Sequence, residues 1–123
     1  MHKSIDEFEQ IWLVDTEYVH TPGEYVTPVC LVAHEVHTGR DIQLNQEELS
    51  MCVAPPYPIG HDSLFVAYFA SAEFSTHLAL GWELPERVLD LYVEFRCRTN
   101  GRDLPCGSSI LGALVYFGLD SMD

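Results

Sequence analysis

The residues whose types and spacing suit chemistry begin with Asp15 and Glu17, in the run VDTEY. In an extended strand, residues i and i+2 point to one face, about 6.5–7 Å apart along the chain. Two carboxylates so placed repel each other unless something cationic lies between them. Hard cations such as Mg²⁺ or Mn²⁺ take oxygen ligands, and two-metal sites hold their ions about 3.5–4 Å apart. The spacing therefore suits a pair of ligands flanking such a site. A solvated strand end would show the same pattern. What favours a site is the place of the pair, directly after apolar Ile11, Trp12, Leu13 and Val14, because ligands in sheets of this kind gather at strand ends. Glu73 is a third carboxylate, early in a helical stretch where the helix dipole favours negative charge. Taken alone it is an ordinary first-turn acid, and it gains meaning only beside Asp15 and Glu17. Asp90 closes a short apolar run and reads either as a group near metal or substrate or as a helix N-cap. Tyr18 either stacks on a terminal base, since aromatic faces accept any base, or packs beside its strand.

Other reactive side chains carry less. His34 and His37 lie three apart on a strand and so point to opposite faces. His20 follows the acidic pair and is near enough in sequence to approach a substrate, while His77 reads as a surface or groove residue. The cysteines, at 30, 52, 97 and 106, form no CxxC pair, which argues against a zinc site. Cys30 sits in an apolar run and reads as a small core residue, and Trp12 and Trp82 as core or interface residues.

The chain has 123 residues, enough for one domain with one core. Hydrophobic residues make up 47% and charged residues 20%, which is a globular composition. No apolar run approaches the roughly 18 residues of a membrane span. The start, MHKSIDEFEQ, lacks the apolar core of a secretory signal, so a cytoplasmic protein is expected. The net charge of −13 runs against a free-standing nucleic-acid binder, which should show a basic face. Bound divalent cations can invert the field of a carboxylate site, and a larger polypeptide could supply a basic groove.

The elements that must position these groups follow from pattern. Residues 11–19 begin as a buried strand, 20–24 (HTPGE) turn, and 26–36 form a second strand with Pro28 near its start. HTGR at 37–40 turns into a short third strand at 41–44, completing an antiparallel meander. A proline-rich loop over 45–60 holds a helical turn at 46–51. SLFVA at 63–67 is a fourth strand, and 69–80 has helical spacing, with Ala70, Phe74 and Leu78 as its apolar stripe and Glu73, His77 and Phe69 on the adjacent face. Gly81 and Pro85 end that helix. RVLDL at 87–91 is a fifth strand, 92–98 is open between strand and short helix, and 108–117 is a helix capped by Ser108 or Ser109, with Ile110, Leu111, Leu114 and Val115 as its apolar face and Gly118 at its end. The order predicts an α/β mixed five-stranded sheet, antiparallel meander then parallel strands, with flanking helices.

VDTEY and FVAYFASAEFSTHL resemble the first two motifs of the DEDD 3′–5′ exonucleases, which include the proofreading domains of family A DNA polymerases and RNase D-like enzymes. RVLDLYVEF is similar to the family's next strand, and SSILGALVYFGLD to the helix ahead of its third motif, so the likeness spans about residues 11–120. It is nearest to the proofreading domain of phage-like family A polymerases. The resemblance implies an RNase H-like fold, a two-metal Mg²⁺ or Mn²⁺ site on Asp15, Glu17 and Glu73, and a single-stranded 3′ end of DNA or RNA as substrate. Glu73 stands where the family usually has Asp, and Phe69 or Ala70 where an Asn is common. The third motif, an Asp with Tyr or His four residues before it, has no match. Tyr116 and Asp120 have the spacing but flank Gly118 at a helix end, and read as coincidence. Residues 1–123 are thus expected to form one exonuclease-like domain, incomplete at its C-terminal end, with a polymerase region or another chain completing it. Two functions follow: a metal-dependent 3′–5′ exonuclease, or a catalytically inactive remnant of the fold used for protein contact.

Overall fold

The computed structural model describes residues 4–102, 104, 107 and 109–117. Five strands form one sheet: β1 (Gln10–Val19), β2 (Thr27–Glu35), β3 (Asp41–Asn45), β4 (Ser63–Ala67) and β5 (Val88–Asp90), in the order β3-β2-β1-β4-β5. β1–β2 and β2–β3 pair antiparallel, whereas β1–β4 and β4–β5 pair parallel. The helices are α1 (Gln46–Ser50), α2 (Ala70–Ala79), α3 (Leu91–Arg98) and α4 (Ile110–Tyr116). The mixed sheet with flanking helices expected from the sequence is the observed architecture. The open segment 92–98 is helical, and Ser109 caps α4 through its side chain to the Gly112 amide at 3.1 Å. Cys106, Ser108, Gly118 and Asp120, and the side chains of Leu111, Val115 and Tyr116, lie outside what the structure describes.

Strand alternation divides the sheet into two faces. On one face Trp12 and Val14 of β1 join Leu31 and Ala33 of β2, Phe65 and Ala67 of β4, and Leu49, Tyr57 and Trp82 from the surrounding helices and loops. Tyr57 packs against both Trp12 and Phe65, with ring centroids 6.0 and 5.7 Å apart. On the other face a smaller cluster gathers Phe8, Ile11, Leu64 and Val66. Leu13 and Val32 on that face are exposed, and Cys30, expected in the core, is half-buried there.

α2 differs from its expected packing. Its buried residues are Ala70, Glu73, Thr76 and His77, while Phe74 is half-buried and Leu78 is 57% exposed. On the inward polar face Thr76 and His77 find partners. Thr76 Oγ1 lies 3.0 Å from Thr16 Oγ1, His77 Nε2 lies 2.7 Å from the Tyr57 hydroxyl, and His77 Nδ1 lies 2.8 Å from the Glu83 carbonyl oxygen. His77 is therefore a core residue, and burial pulls its pKa down despite the bond to Glu83. The expected apolar face of α4 also changes: Ile110 is exposed and Ala113 is buried.

Candidate functional site

β1 pairs with β4 only from Gln10 to Leu13, yet runs on to Val19 against β2 alone. Past Leu13, where β4 no longer flanks it, Asp15 stands inside β1 and not at its end, on the face of the strand opposite Thr16. A bulge follows: Glu17 pairs with Cys30 and Tyr18 with Pro28, leaving Val29 as an extra residue of β2. Asp15 and Glu17 share one face of β1 and are both exposed. Tyr18 falls on the opposite side of the strand, with Thr16, and is half-buried.

Glu73 reaches β1 from α2 and is 3% exposed. Its Oε1 accepts from the Thr16 amide at 3.3 Å, and its Oε2 is buried with no hydrogen-bond partner. Burial pushes the Glu73 pKa up to about 7, and the negative charges of Asp15 and Asp90 add to the rise against the bond from Thr16. A carboxyl ordinarily avoids such a place: an unpaired buried oxygen costs about 1–3 kcal/mol. The negative field of Glu73 also adds to the burial that raises the Tyr57 hydroxyl pKa.

Two backbone features place Glu73. Phe69, the N-cap of α2, has φ 67, in the left-handed region that non-glycine residues rarely occupy. Asp90 holds that turn. Its Oδ1 accepts from the Phe69 amide at 2.9 Å and its Oδ2 from the Ala70 amide at 2.9 Å. The same carboxylate caps α3, accepting from the amides of Tyr92 at 3.0 Å and Val93 at 3.4 Å. Asp90 therefore ties the first turns of two helices together, with both oxygens engaged by backbone.

The donor set fits a hard divalent cation in kind: carboxylates, one of them carrying a buried oxygen without a partner. It is short in number, since among the described residues no group of three His, Cys, Asp or Glu side chains is placed to hold a metal ion. Sequence reasoning missed Thr16 and Thr76, which seat α2 on β1, and Tyr57, which bonds His77 of α2 in the core. An alternating strand with Thr between two acids was the available signal for Thr16; nothing local marked Tyr57.

No family model and no curated protein sequence matches the chain. Solved structures do. Escherichia coli RNase D, an exoribonuclease involved in structured RNA processing, matches with a TM-score of 0.56 at 17% identity, over 92% of this chain and 29% of its own. The EXO domain of Aedes aegypti Nibbler matches with a TM-score of 0.52 at 13% identity, over 82% of this chain and 53% of its own. The chain thus spans less than two thirds of either protein. At these identities the likeness is one of fold, the mixed five-stranded sheet with flanking helices. Among the described residues no helix is long and apolar enough to cross a membrane.

Proposed function

We propose that the chain forms part of a 3′–5′ exonuclease site that hydrolyses the terminal phosphodiester at a single-stranded 3′ end of DNA or RNA. The observation that carries this is Glu73, a buried carboxyl with one unpartnered oxygen, bonded to the β1 amide next to Asp15 and within reach of the Asp15 charge. Such an arrangement costs stability and serves no packing purpose, which is the mark of a group kept for chemistry. Asp15, Glu17 and Glu73 are the carboxylates we assign to Mg²⁺ or Mn²⁺, and because they do not stand as a three-ligand set, ion binding would have to draw them together. When bound, such ions activate water and stabilise the leaving oxygen. Thr16, through its amide, fixes one oxygen of Glu73 and leaves the other without a partner. Asp90 fixes the helix start, and the bond between Tyr57 and His77 holds α2 against the core. A further acidic ligand has to come from outside the described residues, and the motif likeness to proofreading domains makes a polymerase region the neighbour we expect.

The test is release of nucleotides from 5′-labelled single-stranded DNA and RNA by the natural polypeptide that contains this chain, with Mg²⁺ or Mn²⁺. Asp15→Asn should lower release by about a hundredfold or more, beyond the 10–100-fold typical of groups one shell away from a metal. Calorimetry with Mn²⁺ on the native protein and on Asp15→Ala checks the ligand role directly. Equal heats and equal release would remove the site and leave a catalytically silent fold used for protein contact.

A further inference from the structure

The basic charge of this acidic chain is gathered in one stretch. Residues 87–102 hold four basic side chains, Arg87, Arg96, Arg98 and Arg102, against two acidic ones, Asp90 and Glu94; the remainder holds two against seventeen. Tyr92 and Arg96 lie four residues apart on one face of α3, and Asn100 follows in the turn after the helix. They line a groove of about 420 Å³ together with Val93 and Cys97, and Arg96 and Asn100 are exposed. At its head stands an aromatic cluster: the Phe69 ring, 50% exposed, meets Tyr92 edge-on at 5.2 Å, and Tyr92 meets Tyr68 at 5.8 Å.

We propose that this groove is the track along which a single-stranded nucleic acid reaches the carboxylates of β1 and α2, with Arg96 on a backbone phosphate and Phe69 and Tyr92 as the platform for a base. The assignment rests on the exonuclease reading and names its substrate contacts. A large ring on a left-handed backbone is an unfavourable choice at a helix start, and half of that ring is in water, so packing alone gives little reason for it. Base–aromatic stacking gives one, because every base offers a flat face. Asp90 links the groove to the helix that carries Glu73: its carboxylate holds the Phe69 and Tyr92 amides, and its charge is felt at Glu73. Arg96 is close enough to the cluster that its charge opposes the burial, and the neighbouring Tyr92 and Asp90, that raise the Tyr68 hydroxyl pKa. An extended polyanion with stackable faces matches this pairing of one guanidinium with an exposed Phe69 backed by a half-buried Tyr92; an acidic peptide would use the guanidinium and leave the rings idle.

The experiment is binding of the chain to fluorescein-labelled oligo(dT) and oligo(rU), without divalent cation, across a salt series. Arg96→Gln should weaken binding several-fold and reduce the slope of log affinity against log salt by about 0.7, the value for one phosphate on a single strand. Phe69→Gly, which keeps the left-handed turn, should weaken it about tenfold, and Phe69→Tyr should bind like the native chain. A photoreactive 5-iodouracil near the 3′ end should crosslink to the peptide holding Phe69 or Tyr92. Unchanged affinity and slope in both variants, crosslinks elsewhere, or no binding by the native chain would overturn the groove. The exonuclease reading is judged separately by Asp15→Asn, which leaves the groove intact. Preference between the two oligomers tells DNA from RNA.

Discussion

Glu35 and Glu73 are both almost wholly buried, at 2% and 3% exposure, and both reach β1 from a neighbouring element, yet the fold treats them in opposite ways. Glu35 ends β2. One oxygen accepts from the Ile11 amide and the other from the Thr38 amide, each at 2.8 Å. Burial alone would raise its pKa, but the amides of Ile11, His37 and Thr38 outweigh it and bring the value down to about 2. Glu73 has one amide at 3.3 Å and one orphan oxygen, and its pKa goes up to about 7. The same side chain, equally buried, is thus a satisfied structural anion in one place and an under-satisfied acid in the other. The number of amides facing it decides which. Burial of a carboxylate therefore says nothing about function until its hydrogen bonds are counted.

The largest expected effect breaks the comparison at its functional end. Glu73→Gln keeps the shape and the Thr16 bond but removes the charge, and should lower 3′-end release by about a hundredfold or more. Glu35→Gln should leave the catalytic step untouched in whatever fraction of protein is folded. Equal loss of specific activity from both, measured on folded protein, would show that the two glutamates do not differ in role.

Next in size is stability. Glu35→Gln places an amide NH₂ against a buried backbone donor, and should cost about 3–5 kcal/mol, seen as a large fall in the urea midpoint. The sign with pH follows from the lowered value. A carboxylate whose pKa drops from 4.5 to about 2 on folding gives stability that is present above pH 4.5 and lost as the pH falls toward 2. The native protein should show that acid limb and the Gln variant should show less of it.

Glu73 has the reverse sign. A value raised from 4.5 to about 7 means the folded state holds the extra proton, so stability is full below pH 4.5 and is lost as the pH rises through 7. Glu73→Gln should therefore match the native protein at pH 4 and exceed it by about 1–2 kcal/mol at pH 8. A variant less stable than the native chain at pH 8 would mean that the orphan oxygen has a partner after all.

The same contrast explains what could be read from the sequence. The strands were legible because apolar runs such as SLFVA and the Gly turns around HTGR are local signals. The buried face of α2 was not, because Glu73, Thr76 and His77 look like a solvent face until Thr16, Tyr57 and Glu83 are brought to them. The helix at 91–98 was hidden by its exposed Leu91 and Val93; its clearest mark was Asp90, an N-cap in fact as well as in type. Asp15, Glu17 and Glu73 stood out by residue type and spacing. That the first two stand exposed while the third is sunk against a backbone amide depends on where β4 stops pairing with β1, which no local pattern states. Glu35 did not stand out at all, since its partners lie on β1 and in a turn.

The smallest effect concerns how Glu73 is held. The turn before it bends through Phe69 at φ 67, whereas Glu35 leaves an ordinary strand. A left-handed conformation costs an L-residue about 1–2 kcal/mol, and glycine almost nothing. Comparing Phe69 with glycine alone would mix this with loss of the ring contact to Tyr92. Comparing Phe69→Gly with Phe69→Ala removes that difference, since both lack the ring. At an ordinary helix position alanine would be the more stable by up to about 1 kcal/mol. Here the order should invert, with Phe69→Gly the more stable by about 1 kcal/mol and its thermal midpoint a few degrees higher. The usual order would mean that Phe69 is not held left-handed in solution and that Asp90 does not set the start of α2. Inversion would show that the fold spends backbone strain on the side of the sheet where it keeps an unsatisfied carboxyl, and none where the carboxylate is merely structural.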